Sequence, residues 1–188
     1  MTGRPAVFLD RDGTLNVEVD YLADPARFEL IPGAGEGLAR LAAAGFALVV
    51  VTNQSGVARG LLDEDVLEGI HDRMASDLAA HGVALDLVLH CPYHPTEGSA
   101  AFRADSYSRK PRPGMLLEAA GRLNLDLDAS WCVGDSLRDL EAAAAVGARG
   151  LLVRTGKGAT EEALLHRVPG AAAVDSIGDA ASRILEAL

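Results

Sequence analysis

Short apolar runs rich in strand-forming residues alternate along this chain with stretches of helical periodicity. The predicted strands are residues 6–9, 47–52, 85–91, 131–133 and 150–154, and the predicted helices are 35–44, 63–81, 113–123, 137–146 and 177–188. Strands and helices that alternate across short connections form a mostly parallel sheet with helices on both faces. The sequence therefore predicts an α/β fold of the Rossmann-like, three-layer kind.

The composition restricts the class of protein further. No apolar run approaches the roughly 20 residues of a membrane-spanning helix. The residues before the first predicted strand are too few for a signal peptide, so we expect a cytoplasmic protein. The net charge of −10 argues against nucleic acid or a membrane surface as partner, because both bind broad basic faces. One disulfide between Cys91 and Cys132 is conceivable, but two reduced, buried thiols are expected.

Two carboxylates follow the first predicted strand in the run FLDRDGTLN at residues 8–16. Asp10 and Asp12 are two residues apart, and Gly13 allows a sharp turn after them. Open α/β sheets bind ligands at the carboxyl ends of their strands, so both carboxylates are expected in that crevice. The pattern suits phosphoryl transfer, although two aspartates at this spacing also occur in ordinary polar turns.

Two other polar runs are candidates for the same site: one at the end of the predicted strand 47–52 and one in the long loop before the predicted helix 113–123. Thr52 and Asn53 offer neutral donors for phosphate oxygens, but the same pair is common turn chemistry. The run SRKPRPG at residues 108–114 places Arg109 and Lys110 in a stiff basic arm or a solvated surface patch. Of the 17 basic residues only Lys110 and Lys157 are lysines, and lysine is a compact charge that approaches phosphate closely.

A further carboxylate pair lies in the run WCVGDSLRD at residues 131–139. Asp135 follows a predicted strand, and Asp139 lies one helical turn later on the same side. Magnesium prefers oxygen ligands from one or two carboxylates together with a substrate phosphate. The alternative is that both aspartates cap the following helix, and the two roles are compatible.

The order of these motifs resembles the haloacid dehalogenase (HAD) superfamily of phosphotransferases over residues 7 to about 156. The likeness is carried by FLDRDGTLN at 8–16, VVVTNQSGVARG at 49–60, RKP at 109–111, PGML at 113–116 and LVRTGK at 152–157. Within that superfamily these runs resemble the branch related to histidinol-phosphate phosphatase, which contains phosphatases of heptose bisphosphates. The resemblance implies a single phosphatase domain over residues 1–188, no separate cap domain, and Mg²⁺ as cofactor.

The resemblance also implies roles for the reacting groups. Asp10 is then the nucleophile that forms an aspartyl-phosphate. Asp12 protonates the leaving oxygen and later accepts a proton from water. Thr52 and Lys110 stabilise the transferring phosphoryl group. Magnesium is expected at the Asp10 carboxylate, the Asp12 backbone carbonyl and Asp135.

A set of substrate-binding residues follows from the same resemblance. They are Glu18, Asp20, Tyr21, Asn53, Gln54, Ser55, Arg59 and Arg109. The planar fork of Arg109 suits a sugar phosphate. The segment 18–21 departs from the family form Asp-His-Gly-Tyr and keeps only its tyrosine. Arg59 has two open interpretations, a contact to a distal phosphate or an exposed surface position.

A zinc-binding loop of many relatives is altered in this chain. Cys91 is kept, but Tyr93 stands at the histidine position, and Ser106 and Ser108 replace the later cysteine pair. One surviving ligand cannot build a four-coordinate zinc site. We therefore expect no zinc, with the loop held by prolines and packing, although two histidines, His90 and His94, lie nearby.

The resemblance predicts a magnesium-dependent phosphatase that removes the 7-phosphate of D-glycero-D-manno-heptose 1,7-bisphosphate. The alternatives are a histidinol-phosphate phosphatase, a broader phosphatase of small phosphate monoesters, or a non-catalytic regulator that binds phosphosugars. The last alternative is disfavoured, since Asp10, Asp12, Lys110 and Asp135 are all present. No Gly-x-Gly-x-x-Gly run opens the first helix, which argues against dinucleotide binding. We expect a monomer that acts on a small sugar phosphate.

Overall fold

The computed structural model describes residues 3–188, which contain one six-stranded sheet. Its strands are β1 (Arg4–Leu9), β2 (Ala47–Asn53), β3 (Leu87–Cys91), β4 (Leu125–Gly134), β5 (Arg149–Val153) and β6 (Ala172–Val174). The helices are α1 (Ala34–Ala43), α2 (Ser55–Ala58), α3 (Glu64–Ala79), α4 (Gly114–Leu123), α5 (Leu137–Ala144), α6 (Gly158–Glu161) and α7 (Ile177–Leu185). All strand pairs are parallel, in the order β3-β2-β1-β4-β5-β6.

Helices cover both faces of the sheet, because side chains alternate along each strand. Val7 and Leu9 of β1 belong to the core that packs under α1, α3 and α7. Ala6 and Phe8 belong to a second core under α4 and α5. The predicted α/β, Rossmann-like three-layer fold is therefore confirmed.

Several predicted boundaries differ from the structure. Strand β4 begins at Leu125 rather than at residue 131, because two aspartates interrupt the apolar pattern of its first half. Strand β6 has three residues, and α2 and α6 have four each, lengths too short to show periodicity. Helix α3 begins one residue later than predicted, because the Asp63 carboxylate accepts the Val66 N–H at 2.8 Å as its N-cap.

The strand order determines where polar strand ends meet. The chain passes from β1 outward to β2 and β3, then returns so that β4 pairs with the other side of β1. A crevice forms at the carboxyl ends of the strands where the order reverses in this way. Asp10 follows β1, Thr52 is the last residue but one of β2 and Asp135 follows β4, so all three reach the same edge of the sheet.

No helix within residues 3–188 is long and apolar enough to cross a membrane. Cys91 and Cys132 are both buried as free thiols, as the sequence predicted. Both lie in the core beneath α4 and α5.

Candidate active site

A polar cavity of about 360 Å³ opens at the carboxyl ends of β1, β2 and β4. Every predicted site residue lines it, namely Asp10, Asp12, Glu18, Asp20, Tyr21, Thr52, Asn53, Gln54, Ser55, Arg59, Arg109, Lys110 and Asp135. Its lining also includes His94, Ser136, Arg138, Asp139 and Lys157, which are not among the predicted catalytic or substrate-binding residues. Residues as far apart in sequence as Asp10 and Lys157 thus share one site.

Lys110 lies at the floor of the cavity and is only 3% exposed, so its interpretation as a surface position is wrong. Its Nζ lies 2.9 Å from Asp10 Oδ1 and 2.6 Å from Asp139 Oδ1, and it donates to the Val51 carbonyl at 2.6 Å. Burial alone would lower the pKa of Lys110, but the charges of Asp10 and Asp139 outweigh it and raise that pKa. Lys110 is therefore a fixed cation beside Asp10.

Asn53 holds the backbone of Lys110 in place. Its Oδ1 accepts the Lys110 N–H at 3.1 Å, and its Nδ2 donates to the Lys110 carbonyl at 3.0 Å. The sequence predicted Asn53 as a substrate contact, yet both ends of its amide are already engaged by Lys110. The structure gives Asn53 a positioning function between the end of β2 and the basic arm.

The carboxylate of Asp12 is held by three side chains. Arg11 Nη2 donates to its Oδ1 at 3.0 Å and Oδ2 at 2.8 Å, Gln54 Nε2 donates to Oδ2 at 2.7 Å, and Asn16 Nδ2 donates to Oδ1 at 3.2 Å. Burial alone would raise the pKa of Asp12, but the Arg11 charge and these hydrogen bonds lower it below its ordinary value. Asp12 is therefore ionised and fixed in orientation when no substrate is bound.

Gln54 also connects Asp12 to Thr52. The same Nε2 that donates to Asp12 lies 2.8 Å from Thr52 Oγ1 and donates to it. Thr52 is almost fully buried at the end of β2. Because its oxygen already accepts a hydrogen bond, its own hydroxyl proton remains available to a ligand in the cavity.

Three carboxylates at the same end of the cavity form a potential metal site. Asp10, Asp135 and Asp139 each offer an oxygen within 4.8 Å of the others, the one such cluster of His, Cys, Asp or Glu found among residues 3–188. Burial and the charge of Asp10 raise the pKa of Asp135 to about 7. Asp139 is paired with Lys110, whereas Asp135 receives only the Lys157 backbone N–H, at 2.9 Å. These crowded oxygens suit a divalent cation such as Mg²⁺, which offsets their mutual repulsion.

Two glycines pack directly against Asp135. A Cβ on Gly13 or on Gly156 would lie 2.2 Å from Asp135 Oδ2, and both glycines have positive φ, +78° and +55°. The Thr155 hydroxyl donates to the Gly13 carbonyl at 2.6 Å and ties the two loops together. Only glycine fits at these two positions, and the pair fixes the place of the Asp135 carboxylate.

The capping alternative for Asp139 is also borne out, together with its pairing to Lys110. Asp139 Oδ2 accepts the Ser136 N–H at 3.2 Å at the start of α5. Arg138 follows in the first turn of that helix, and its Nε donates to Ser136 Oγ at 3.0 Å. The start of α5 thus places one acidic and one basic side chain at the cavity.

The loop after β1 forms one rim of the cavity. Tyr21 is 41% exposed and has φ +58°, a strained conformation for a residue with a Cβ. The Arg59 guanidinium lies 5.7 Å from the centre of the Tyr21 ring and also pairs with Glu97. Glu18 of the same loop lies 3.4 Å from Lys157 Nζ.

The altered loop between β3 and α4 is ordered by packing and backbone hydrogen bonds. The Tyr93 ring packs at 6.0 Å from the Phe102 ring, and the His94 N–H donates to the Phe102 carbonyl at 3.1 Å. The Ser108 N–H donates to Ser106 Oγ at 3.2 Å. Arg109 is half-buried at the cavity and donates to the Tyr93 carbonyl at 3.0 Å. This loop therefore carries Arg109 and Lys110 into the site.

Arg11 is the main contact that the sequence analysis missed. It is fully buried, although arginine is rarely found so unless it is paired. The signal was its place between two aspartates in a turn, where a bidentate pair with a neighbouring carboxylate satisfies the guanidinium.

This combination of fold and site defines the HAD-like hydrolases, and the family model described as HAD-hydrolase-like matches residues 107–180. Two bacterial relatives named D-glycero-beta-D-manno-heptose-1,7-bisphosphate 7-phosphatase are similar over most of the chain. The one from Escherichia coli K12 is 48% identical over 85% of this chain and 84% of its own length. The one from Photorhabdus laumondii is 45% identical over 86% of each chain.

Solved structures give the same result. The D,D-heptose 1,7-bisphosphate phosphatase from B. bronchiseptica, complexed with magnesium and phosphate, superposes with a TM-score of 0.87 at 38% identity, covering 98% of this chain and 99% of its own. The corresponding phosphatase from Burkholderia thailandensis has a TM-score of 0.74 at 35% identity, covering 97% and 99%. The chain belongs to the heptose-bisphosphate phosphatase family of the HAD-like hydrolases, which confirms the resemblance of its motifs.

Proposed function

We propose that this chain is a magnesium-dependent phosphatase that removes the 7-phosphate of D-glycero-D-manno-heptose 1,7-bisphosphate through an aspartyl-phosphate on Asp10. The observation that carries the proposal is the contact of 2.9 Å between Lys110 Nζ and Asp10 at the floor of the cavity. It places a fixed cation beside a carboxylate at the end of a buried strand, in a chain 48% identical to a protein with that name.

Phosphoryl transfer begins when Asp10 attacks the phosphorus and the bond to the sugar oxygen breaks. The substrate phosphate enters beside Lys110, whose charge is held in place by Asp139 and the Val51 carbonyl. The free hydroxyl proton of Thr52 donates to a phosphoryl oxygen. Both donors are in position before the substrate arrives, so they stabilise the developing charge without reorganisation.

Asp12 transfers protons at the leaving oxygen and then at water. The pKa of Asp12 is low in the free site, because Arg11, Gln54 and Asn16 favour its charged form. A phosphate anion beside it raises the pKa, since like charges disfavour ionisation. Asp12 therefore takes up a proton with the substrate, donates it to the departing alkoxide, and recovers one from the water that cleaves the aspartyl-phosphate.

Asp10, Asp135 and the backbone carbonyl of Asp12 would hold Mg²⁺, whereas Asp139, the third carboxylate of the cluster, stays paired with Lys110. Bound Mg²⁺ supplies positive charge that draws the anionic phosphate toward the carboxylate. Asp139 acts on Lys110 and keeps it protonated. The chain's own carboxylates thus divide into one that reacts, one that transfers protons and two that organise charge.

The cavity rim suits a small polyhydroxylated anion. Its volume of about 360 Å³ lies at the lower end of small-molecule sites. Glu18, Asp20 and Tyr21 offer acceptors and a donor for sugar hydroxyls, and Arg59 and Arg109 offer positive charge for a second phosphate. We extend the proposal to a single domain over residues 1–188 that acts as a monomer in the cytoplasm.

The test is a comparison of kcat/KM for the α and β anomers of the heptose bisphosphate, fructose 1,6-bisphosphate and histidinol phosphate, each with Mg²⁺ and with a chelator. We expect a heptose bisphosphate to exceed the other substrates by at least tenfold and the chelator to abolish turnover. A higher value for histidinol phosphate would assign the chain to that activity, and no turnover with any phosphate would overturn catalysis.

A further inference from the structure

Arg11 connects the acid/base site to helix α3. Its side chain is 0% exposed and is the largest fully buried side chain among the described residues. Nη2 and Nε face the Asp12 carboxylate, at 2.8 to 3.3 Å from its two oxygens. On its other side, Nη1 lies 3.3 Å from Nε2 of His71, a residue of α3.

The chemistry of this contact determines the state of His71. A guanidinium only donates hydrogen bonds, so His71 Nε2 must present a lone pair and its ring must be neutral with the proton on Nδ1. Burial and the Arg11 charge lower the pKa of His71 to about 3, in agreement with that state. The His90 ring of β3 packs against His71 with 5.6 Å between ring centres and limits its movement.

We propose that Arg11 and neutral His71 form a positioning pair that aims the Asp12 carboxyl at the leaving oxygen of the substrate. Asp12 lies just beyond the end of β1, and Gln54 and Asn16 each donate one hydrogen bond to its carboxylate. Arg11 holds the plane of the carboxylate by contacting both oxygens, and His71 holds Arg11 from the side that faces away from Asp12. The role rests on the proposed function, in which Asp12 transfers the proton.

A positioning role predicts a loss that depends on the leaving group. A sugar alkoxide leaves only when protonated, whereas p-nitrophenolate leaves without a proton. Misplacing a general acid therefore slows the first reaction and spares the second. A role in stability alone would alter both reactions equally.

The experiment compares His71→Phe, which removes the acceptor, with His71→Gln, whose amide oxygen can still accept from Arg11. Each variant is mixed in excess with a heptose bisphosphate or with p-nitrophenyl phosphate, and release of the leaving group is followed in a single turnover. His166→Phe, at an exposed site away from the cavity, is the matched control. Thermal melting of each variant reports whether it folds.

We expect His71→Phe to release the sugar about tenfold more slowly, with p-nitrophenolate release within twofold of the unmodified protein. His71→Gln should stay within threefold for both substrates. Equal losses on both substrates, or equal behaviour of the Phe and Gln variants, would overturn the role even if the unmodified protein is active. If His71→Phe does not fold, His71→Leu, which also lacks an acceptor, takes its place: a tenfold loss confined to the sugar substrate supports the role, and equal losses on both substrates oppose it. Failure of the unmodified protein to release either leaving group overturns the proposed function and this role together.

Discussion

The side chain of Asn53 and the backbone of Lys110 form a closed pair of hydrogen bonds, at 3.1 and 3.0 Å. The arrangement joins the end of β2 to a loop 57 residues further along the chain. It fixes the point from which the Lys110 side chain enters the cavity.

Replacing Asn53 with Leu keeps the approximate volume and removes both hydrogen bonds. We expect kcat to fall about tenfold because Lys110 is no longer aligned, a loss typical of small misplacements in a reacting site. Steady-state kinetics should show KM within twofold. An unchanged kcat with a raised KM would instead identify Asn53 as a substrate contact, as the sequence suggested.

Asp10→Asn should abolish turnover, because an amide does not attack phosphorus. Lys110 keeps its pairing with Asp139 in this variant, so the fold should persist. The measurement is phosphate release with Mg²⁺ present, together with thermal melting. Asp72→Asn, an exposed change on α3, is the matched control and should leave both quantities unchanged. Measurable turnover by the Asp10 variant would exclude Asp10 as nucleophile.

Lys110→Met should affect both activity and stability. Loss of a preorganised cation is expected to lower kcat by at least 10²-fold, roughly 3 kcal/mol. Removing one partner of a buried ion pair typically costs about 3 kcal/mol or more in free energy of unfolding, since Asp139 is then left unpaired.

The double variant Lys110→Met with Asp139→Asn separates these two effects. Denaturant unfolding should show that it recovers much of the lost stability, because the fully buried residue 139 is then neutral and no longer lacks a cation partner. Its kcat should stay as low as that of the single variant. Recovery of kcat alongside stability would show that Lys110 acts only as a structural partner of Asp139.

The stability of the metal-free protein should depend on pH through Asp135. Its folded-state pKa of about 7 lies above the ordinary value of 3.8, so the folded state binds more protons between those pH values. The contribution of Asp135 to the free energy of unfolding therefore falls as pH rises from about 4 to 7. His71 has the opposite trend between about 3 and 6.5, because burial lowers its pKa.

Urea unfolding of Asp135→Asn and of the unmodified protein, with a chelator and at several pH values, isolates the contribution of Asp135. The free energy of unfolding of Asp135→Asn, relative to that of the unmodified protein, should increase between pH 4 and 7. Added Mg²⁺ should stabilise only the unmodified protein, and more strongly above pH 7, because metal binding requires the ionised carboxylate. A difference that stays constant with pH would contradict the raised pKa of Asp135.

The fold was predictable because the apolar residues of its longer strands and helices follow a clear sequence pattern, either a continuous run or a repeat of three to four residues. Strand β2 is buried along nearly its whole length, and α3 places Leu67, Ile70, Met74 and Leu78 on one face. The three-residue strand β6 and the four-residue helices α2 and α6 carry no such pattern. Their conformations depend on tertiary contacts, which a single sequence does not display.

The site was predictable where strand ends carry polar residues, and less so where loops converge. Asp10 and Asp135 follow buried strands and Thr52 lies near the end of another, so the parallel order of the sheet brings the three together. The pairing of Asn53 with Lys110 depends on how a long loop folds back. Arg11 also contacts His71 of α3, 60 residues away in the chain, and the residues around Arg11 do not indicate that contact.

The two glycines beside Asp135, Gly13 and Gly156, limit which substitutions the site tolerates. Neither Gly13 nor Gly156 leaves space for a methyl group, so even alanine there displaces the carboxylate. Asp20 and Tyr21, which also line the cavity, are exposed to solvent and leave room for larger side chains. An alanine scan would thus report two glycines as essential although neither takes part in the reaction. Substitutions meant to alter substrate preference are therefore better tolerated at Asp20 and Tyr21 than at the two glycines.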